Sequence, residues 1–121
     1  MARVVDRLNE QGKAARGSSV LIVGVAYKKD IDDIRESPAL DVIRLLEQRG
    51  ALVAYHDPHV PTLKDGDIAL VSVPLAPEAL RAADCVIIVT DHAGVPYELI
   101  AQHARLVVDT RNALARVHSR R

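Results

Sequence analysis

Residues 26–39 read AYKKDIDDIRESPA, and seven of those fourteen positions carry charge, of both signs. Lys28, Lys29 and Arg35 are cations placed just ahead of a helix-like run that opens at Pro38, and Arg111 lies far along the chain behind an apolar run. Cations beside the amino end of a helix suit an anion such as a phosphate, because unpaired N–H groups and the helix dipole attract the same charge. Lysine supplies a point charge and arginine a fork of donors for paired oxygens. Asp30, Asp32, Asp33 and Glu36 could hold those cations in place, leaving a site that is preorganised yet nearly neutral overall. From these residues alone, a charge-rich segment that is merely solvated reads equally well.

The elements around that segment decide whether the cations can meet. SVLIVGVA, 19–26, is a short, β-branched apolar run, the pattern of a strand covered on both faces. Ser37 can cap the next helix, Pro38 suits its first position, and Gly50 ends it, with Ala39, Val42, Ile43 and Leu46 as the buried stripe. ALVAYHD, 51–57, is a second strand stopped by Pro58. Residues 58–67 read as a polar loop, 68–73 as a short edge strand, 76–83 as a helix, 85–90 as a strand, 96–104 as a helix and 105–110 as a strand. Alternating strands and helices imply an α/β fold, a three-layer Rossmann-like parallel sheet with helices on both faces. Right-handed crossovers favour the order 2-1-3-4 for the four main strands. The topological switch then lies between the first strand and the 85–90 strand, and ligands of such sheets bind outside the carboxyl ends there. The charged segment, Asp91 and His92, and Arg111 all follow strands that should open onto that edge.

Other reactive residues have plainer readings. Gly24 stands without a G-x-G-x-x-G fingerprint. Asp57 ends the second strand, where a dinucleotide fold would hold a ribose, but Pro58 behind it points to a turn. Asp91 and His92 could cap their loop or contact a ligand, with capping the simpler role. The five histidines and one cysteine match no zinc spacing, so no metal is expected. Cys85 opens an apolar strand and reads as an inert buried thiol.

Composition narrows the partners. The 121 residues suffice for one domain with a core, 49% of them hydrophobic and 26% charged. Sixteen basic and sixteen acidic side chains balance, which argues against bulk binding to nucleic acid or an anionic membrane. No apolar run approaches the ~20 residues of a membrane span, and a cytoplasmic protein is the default. With no Phe or Trp, the three tyrosines are the only aromatic surfaces besides the histidine rings. The first dozen residues have a thin apolar stripe, and the basic tail reads as frayed.

GVAYKKDIDDIRESPALDVIRLLEQRGALVAYHDP, with AARGSSVLIVGVAYK before the charged segment and VVDTRNAL near the end, resembles the C-terminal domain of the UDP-glucose/GDP-mannose dehydrogenase family. The likeness runs from about Leu8 to Asn112. Within the family, VAYHDPHVP, TDHAGVPYELI and LVVDTRN look most like the UDP-N-acetylglucosamine 6-dehydrogenase branch. The resemblance implies a nucleotide-sugar 6-dehydrogenase that oxidises a sugar C6 alcohol to a carboxylate with two NAD⁺. It implies that Tyr27 and Lys28 contact uridine diphosphate, that Arg111 joins the same pocket, and that Arg35 reaches toward the NAD. It implies an N-terminal NAD domain and a central dimerisation region as partners, within a homo-oligomer. The family's catalytic-cysteine motif and NAD fingerprint are absent from these residues, so no catalytic residue is expected here and Cys85 should not inherit that role. The expected divisions are 1–16 as the end of a connecting helical region, 17–112 as the nucleotide-sugar-binding domain and 113–121 as a basic tail. A stand-alone nucleotide-binding module, or an assembly domain whose charges make only ion pairs, remains the alternative.

Overall fold

Apolar runs too short for helices and too continuous for one-sided burial pair as parallel strands at the centre of the molecule. The computed structural model describes residues 17–26, 37–90, 92 and 95–110. In chain order the elements are β1 (Ser19–Val23), α1 (Pro38–Gln48), β2 (Leu52–His56), β3 (Thr62–Asp65), β4 (Ile68–Val71), α2 (Pro77–Ala82), β5 (Cys85–Ile88), α3 (Tyr97–His103) and β6 (Val107–Asp109). The main sheet has the order β2-β1-β5-β6, all parallel, as the alternation of strands and helices implies. Its register sets Val23 beside both His56 and Ile88, and Ile88 beside Asp109.

Successive strand residues face opposite layers. Val20 and Ile22 of β1, Cys85 and Ile87 of β5, and Val108 of β6 join a core with Ala39, Leu40, Ile43 and Leu46 of α1. Leu21, Val23, Val86 and Ile88 join a second core with Leu80 of α2 and Tyr97 and Ile100 of α3. Helices therefore cover both faces. The stripe of α1 is as expected except that Leu40 is buried and Val42 lies only partly against the core. Ser37 caps α1, its Oγ accepting the Ala39 N–H at 3.2 Å with extended backbone at the cap.

One stretch differs from its sequence reading. Residues 58–67 are more than a polar loop, because Thr62–Asp65 pairs antiparallel with Ile68–Val71 around a turn at Gly66 and Asp67. Leu63 and Ile68 carry this hairpin onto the α1 side of the core, and Arg44 of α1 pairs with Asp65. Pro61 and the outward-facing Thr62 and Lys64 hide this strand in the sequence, since only one of its residues, Leu63, has to be apolar. The expected edge strand at 68–73 meets the main sheet through a single parallel bridge, Tyr55 to Ser72. Among the described residues, no helix is long and apolar enough to cross a membrane.

Candidate functional site

Parallel strands put their carboxyl ends together, so β1, β2, β5 and β6 all deliver their following residues to one edge. Tyr27, Lys28, Arg35 and Arg111, together with Lys29, Asp91 and the acids of the charged segment, lie outside the described residues. Their chain neighbours do not. Ala26 follows β1, Ser37 opens α1, and Thr110 follows β6, where its N–H and its hydroxyl both donate to the Ile88 carbonyl, at 3.1 and 2.6 Å. The switch point between β1 and β5 is present as expected, with Ala26 at its mouth.

The described part of this edge is built on Asp57. The residue is 1% exposed. Its Oδ2 accepts the backbone N–H of Val25 at 2.8 Å and of Ala26 at 3.1 Å, and its Oδ1 accepts the His59 N–H at 2.8 Å. The His92 Nε2 lies 2.9 Å from the same Oδ2, and an ionised carboxylate only accepts, so Nε2 carries the hydrogen. Burial alone would raise the Asp57 carboxyl, but the Val25 and His59 N–H groups and the His92 ring outweigh it and hold it below the usual carboxylate range. The turn role expected from Pro58 is there, in the bond to His59 and in the Val60 N–H donating to the Asp57 carbonyl. The bonds to β1 and to His92 go beyond it.

His92 is fully buried rather than a simple loop cap. Its ring lies 4.6 Å from that of His59, and its carbonyl accepts the Tyr97 hydroxyl at 3.0 Å. Thr90, also buried, donates its hydroxyl to the Ala26 carbonyl at 2.7 Å. Gly24 allows this closeness. It has φ +86°, and a Cβ there would sit 2.3 Å from the backbone carbonyl oxygen of Thr90. Tyr55 donates to the Val60 carbonyl at 2.7 Å, and burial, reinforced by the Asp57 charge, pushes its phenol up to about 12. Tyr55 and Tyr97 are thus packed inside, and neither offers a face to a base.

The described residues of this edge do not have the make-up of a dinucleotide cradle. Among them, Gly24 makes room for Thr90, and the acid that would meet a ribose has its oxygens occupied by four donors. Cys85 is a buried thiol within β5, its Sγ 3.9 Å from the Val86 carbonyl. Among the described residues, no three His, Cys, Asp or Glu side chains group so as to hold a metal ion. Sequence reasoning passed over Thr90 and underrated Asp57 and His92. The available signal was their placement: both strands that precede them flank β1.

The chain matches, over residues 21–116, the family described as UDP-glucose/GDP-mannose dehydrogenase family, UDP binding domain. It is 30% identical over 110 residues to an NDP-N-acetyl-D-galactosaminuronic acid dehydrogenase of Ralstonia solanacearum, across 89% of this chain and 26% of that protein. It is 36% identical over 92 residues to a UDP-N-acetyl-D-mannosamine dehydrogenase of Yersinia pestis, across 75% of this chain and 22% of that one. The crystal structure of an NDP-N-acetyl-D-galactosaminuronic acid dehydrogenase from Methanosarcina mazei aligns with a TM-score of 0.71 at 27% identity, over 91% of this chain and 24% of that chain. The chain spans about a quarter of the length of these relatives.

Proposed function

Because the chain belongs to the UDP-glucose/GDP-mannose dehydrogenase family, we propose that it is the nucleotide-sugar-binding portion of an NAD-dependent UDP-sugar 6-dehydrogenase. The observation that carries this reading is the extent of the family match. It runs from β1 through the residues after β6 and so takes in every segment that leaves the carboxyl edge at the switch point. Tyr27 and Lys28, which follow Ala26, and Arg111, which follows Thr110, take the uridine diphosphate. Arg35, two residues before the capped start of α1, serves the cofactor side. The NAD itself belongs to another part of the longer enzyme, in keeping with the occupied oxygens of Asp57. That part also supplies the covalent and hydride chemistry, for which a positioned thiolate and a bound nicotinamide are needed. The assembly is a cytoplasmic homo-oligomer whose central region makes the dimer, with 1–16 as connector, 17–112 as this domain and 113–121 as a tail. The substrate is UDP-N-acetylglucosamine or a related UDP-hexose. Its support is the VAYHDPHVP and TDHAGVPYELI stretches and the acetamido sugars in the names of the two relatives above.

Titration of the 121-residue chain with UDP at low ionic strength tests the reading. Binding should be weak and should weaken further with salt. Lys28→Ala and Arg111→Ala should each lower affinity by roughly one to two orders of magnitude, the effect of losing a charge-assisted contact. Arg35→Ala should change it little. Absence of UDP binding, or loss of binding on Arg35→Ala alone, defeats the assignment. The chain alone should form no NADH with NAD⁺ and any UDP-sugar, and NADH formation above a denatured control would place catalysis here after all.

A further inference from the structure

Ala26 is the last described residue before 27–36, and both of its backbone polar groups are held by side chains from neighbouring strands. Its N–H goes to Asp57, beyond β2, and its carbonyl takes the hydroxyl of Thr90, beyond β5. Val25 gives its N–H to the same carboxylate, and Gly24 gives its own to the His56 carbonyl at 2.9 Å. Three consecutive residues are therefore fixed by the ends of the two strands that flank β1. The Gly24 bond closes the ladder that pairs Val23 with His56, whereas the bonds of Val25 and Ala26 lie beyond it and are not needed to extend the sheet. Holding a buried carboxylate there requires four donors, an investment a plain connection does not need.

We propose that Asp57 and Thr90 are positioning residues, which grip Ala26 by its N–H and its carbonyl, fix the direction in which the chain enters 27–36, and so set the affinity of Tyr27 and Lys28 for the nucleotide diphosphate. This rests on the assignment of Tyr27 and Lys28 to the nucleotide. The physical basis is that contacts made by residues directly after Ala26 depend on the orientation of its peptide planes. A supporting shell that fixes them spares the ligand the cost of ordering the chain. His92 completes the shell by donating to Asp57 from the β5 side.

Thr90→Val removes the hydroxyl at nearly constant shape, and Thr90→Ser keeps it. UDP titration of the 121-residue chain should show Thr90→Val weakened about 10-fold, the scale of one unpaired buried carbonyl expressed in binding. Thr90→Ser should stay within about 2-fold of wild type. Asp57→Asn should weaken UDP by a similar factor and shift the Ala26 amide proton upfield, because a neutral amide oxygen is the poorer acceptor. A role confined to folding would change the melting temperature of these variants and leave the UDP affinity of the folded chain unchanged, and that result overturns the proposal. Thr90→Ser weakened while Thr90→Val stays at wild-type affinity overturns it also, since the methyl group would then matter and the hydroxyl would not. Should Thr90→Val fail to fold, Asp57→Asn decides: a shifted Ala26 amide with wild-type UDP affinity is the overturning outcome. If wild type itself does not bind UDP, the nucleotide assignment fails and takes this proposal with it, a result distinct from equal binding by wild type and variants.

Discussion

The two ends of β1 are each tied down by an aspartate and each flanked by a glycine at positive φ, yet they are built differently. At the amino end, Asp84 accepts the Ser19 N–H at 2.9 Å, the Asp84 N–H returns to the Ser19 carbonyl at 2.7 Å, and the exposed Arg105 lies 3.7 Å from the carboxylate. Gly17 there has φ +80° and open space around a notional Cβ. At the carboxyl end, Asp57 is buried with four donors, and Gly24 is pressed against Thr90. One end is a solvent-facing stitch. The other is a desolvated polar network at the mouth of the switch point. A turn needs only the first kind; the second is what a fold uses where direction has to be held.

The largest contrast should come from the aspartates. Asp57→Ala leaves several buried donors without an acceptor and should cost on the order of 3–5 kcal/mol, whereas Asp84→Ala should cost about 1 kcal/mol, both read from chemical denaturation. Equal losses would mean that the two ends do the same structural job. The glycines should follow the same division. Gly24→Ala combines left-handed backbone with a Cβ inside Thr90 and should cost roughly 2–4 kcal/mol, while Gly17→Ala carries only the backbone penalty of about 1 kcal/mol.

Titration separates the ends further. The Tyr55 phenol is pushed up to about 12 from 10.0 in the folded chain. The unfolded chain therefore loses this proton first as pH rises. Its contribution, about 2–3 kcal/mol, is fully present below pH 10 and is lost as pH climbs to about 12. Asp57 has the opposite sign. Its folded pKa is depressed, so its contribution is present above the ordinary value of 3.8 and falls away as pH drops below that. Denaturation midpoints measured from pH 2 to 6 should show this acid loss in wild type and a smaller one in Asp57→Asn. An unchanged acid limb in the variant would remove Asp57 as its source. The smallest effect belongs to the amino end: Arg105→Ala, which breaks an exposed pair, should change stability by less than about 0.5 kcal/mol.

Much of this architecture was legible in the chain because local chemistry dictates it. Ser37-Pro38 starts α1 wherever the rest of the chain goes, since a hydroxyl cap and a fixed φ act within a few residues. The continuous apolar runs at β1 and β5 demanded cover on both faces, and alternation with helices then implied a parallel sheet in the order observed. The hairpin at 62–71 was half-missed because a four-residue strand with one buried side chain, Leu63, carries almost no periodic signal. For the candidate site, the residues proposed to touch the nucleotide came from charge, spacing and resemblance. The residues that hold their anchor did not. Asp57, Thr90 and Ala26 are separated by more than thirty positions from one another, and no short window of sequence can show that a carboxylate and a hydroxyl will meet the two sides of one peptide. Only the parallel pairing of β1 with β2 and β5 brings those strand ends together. Burial then forces every polar group there to find a partner, because water is no longer available to supply one.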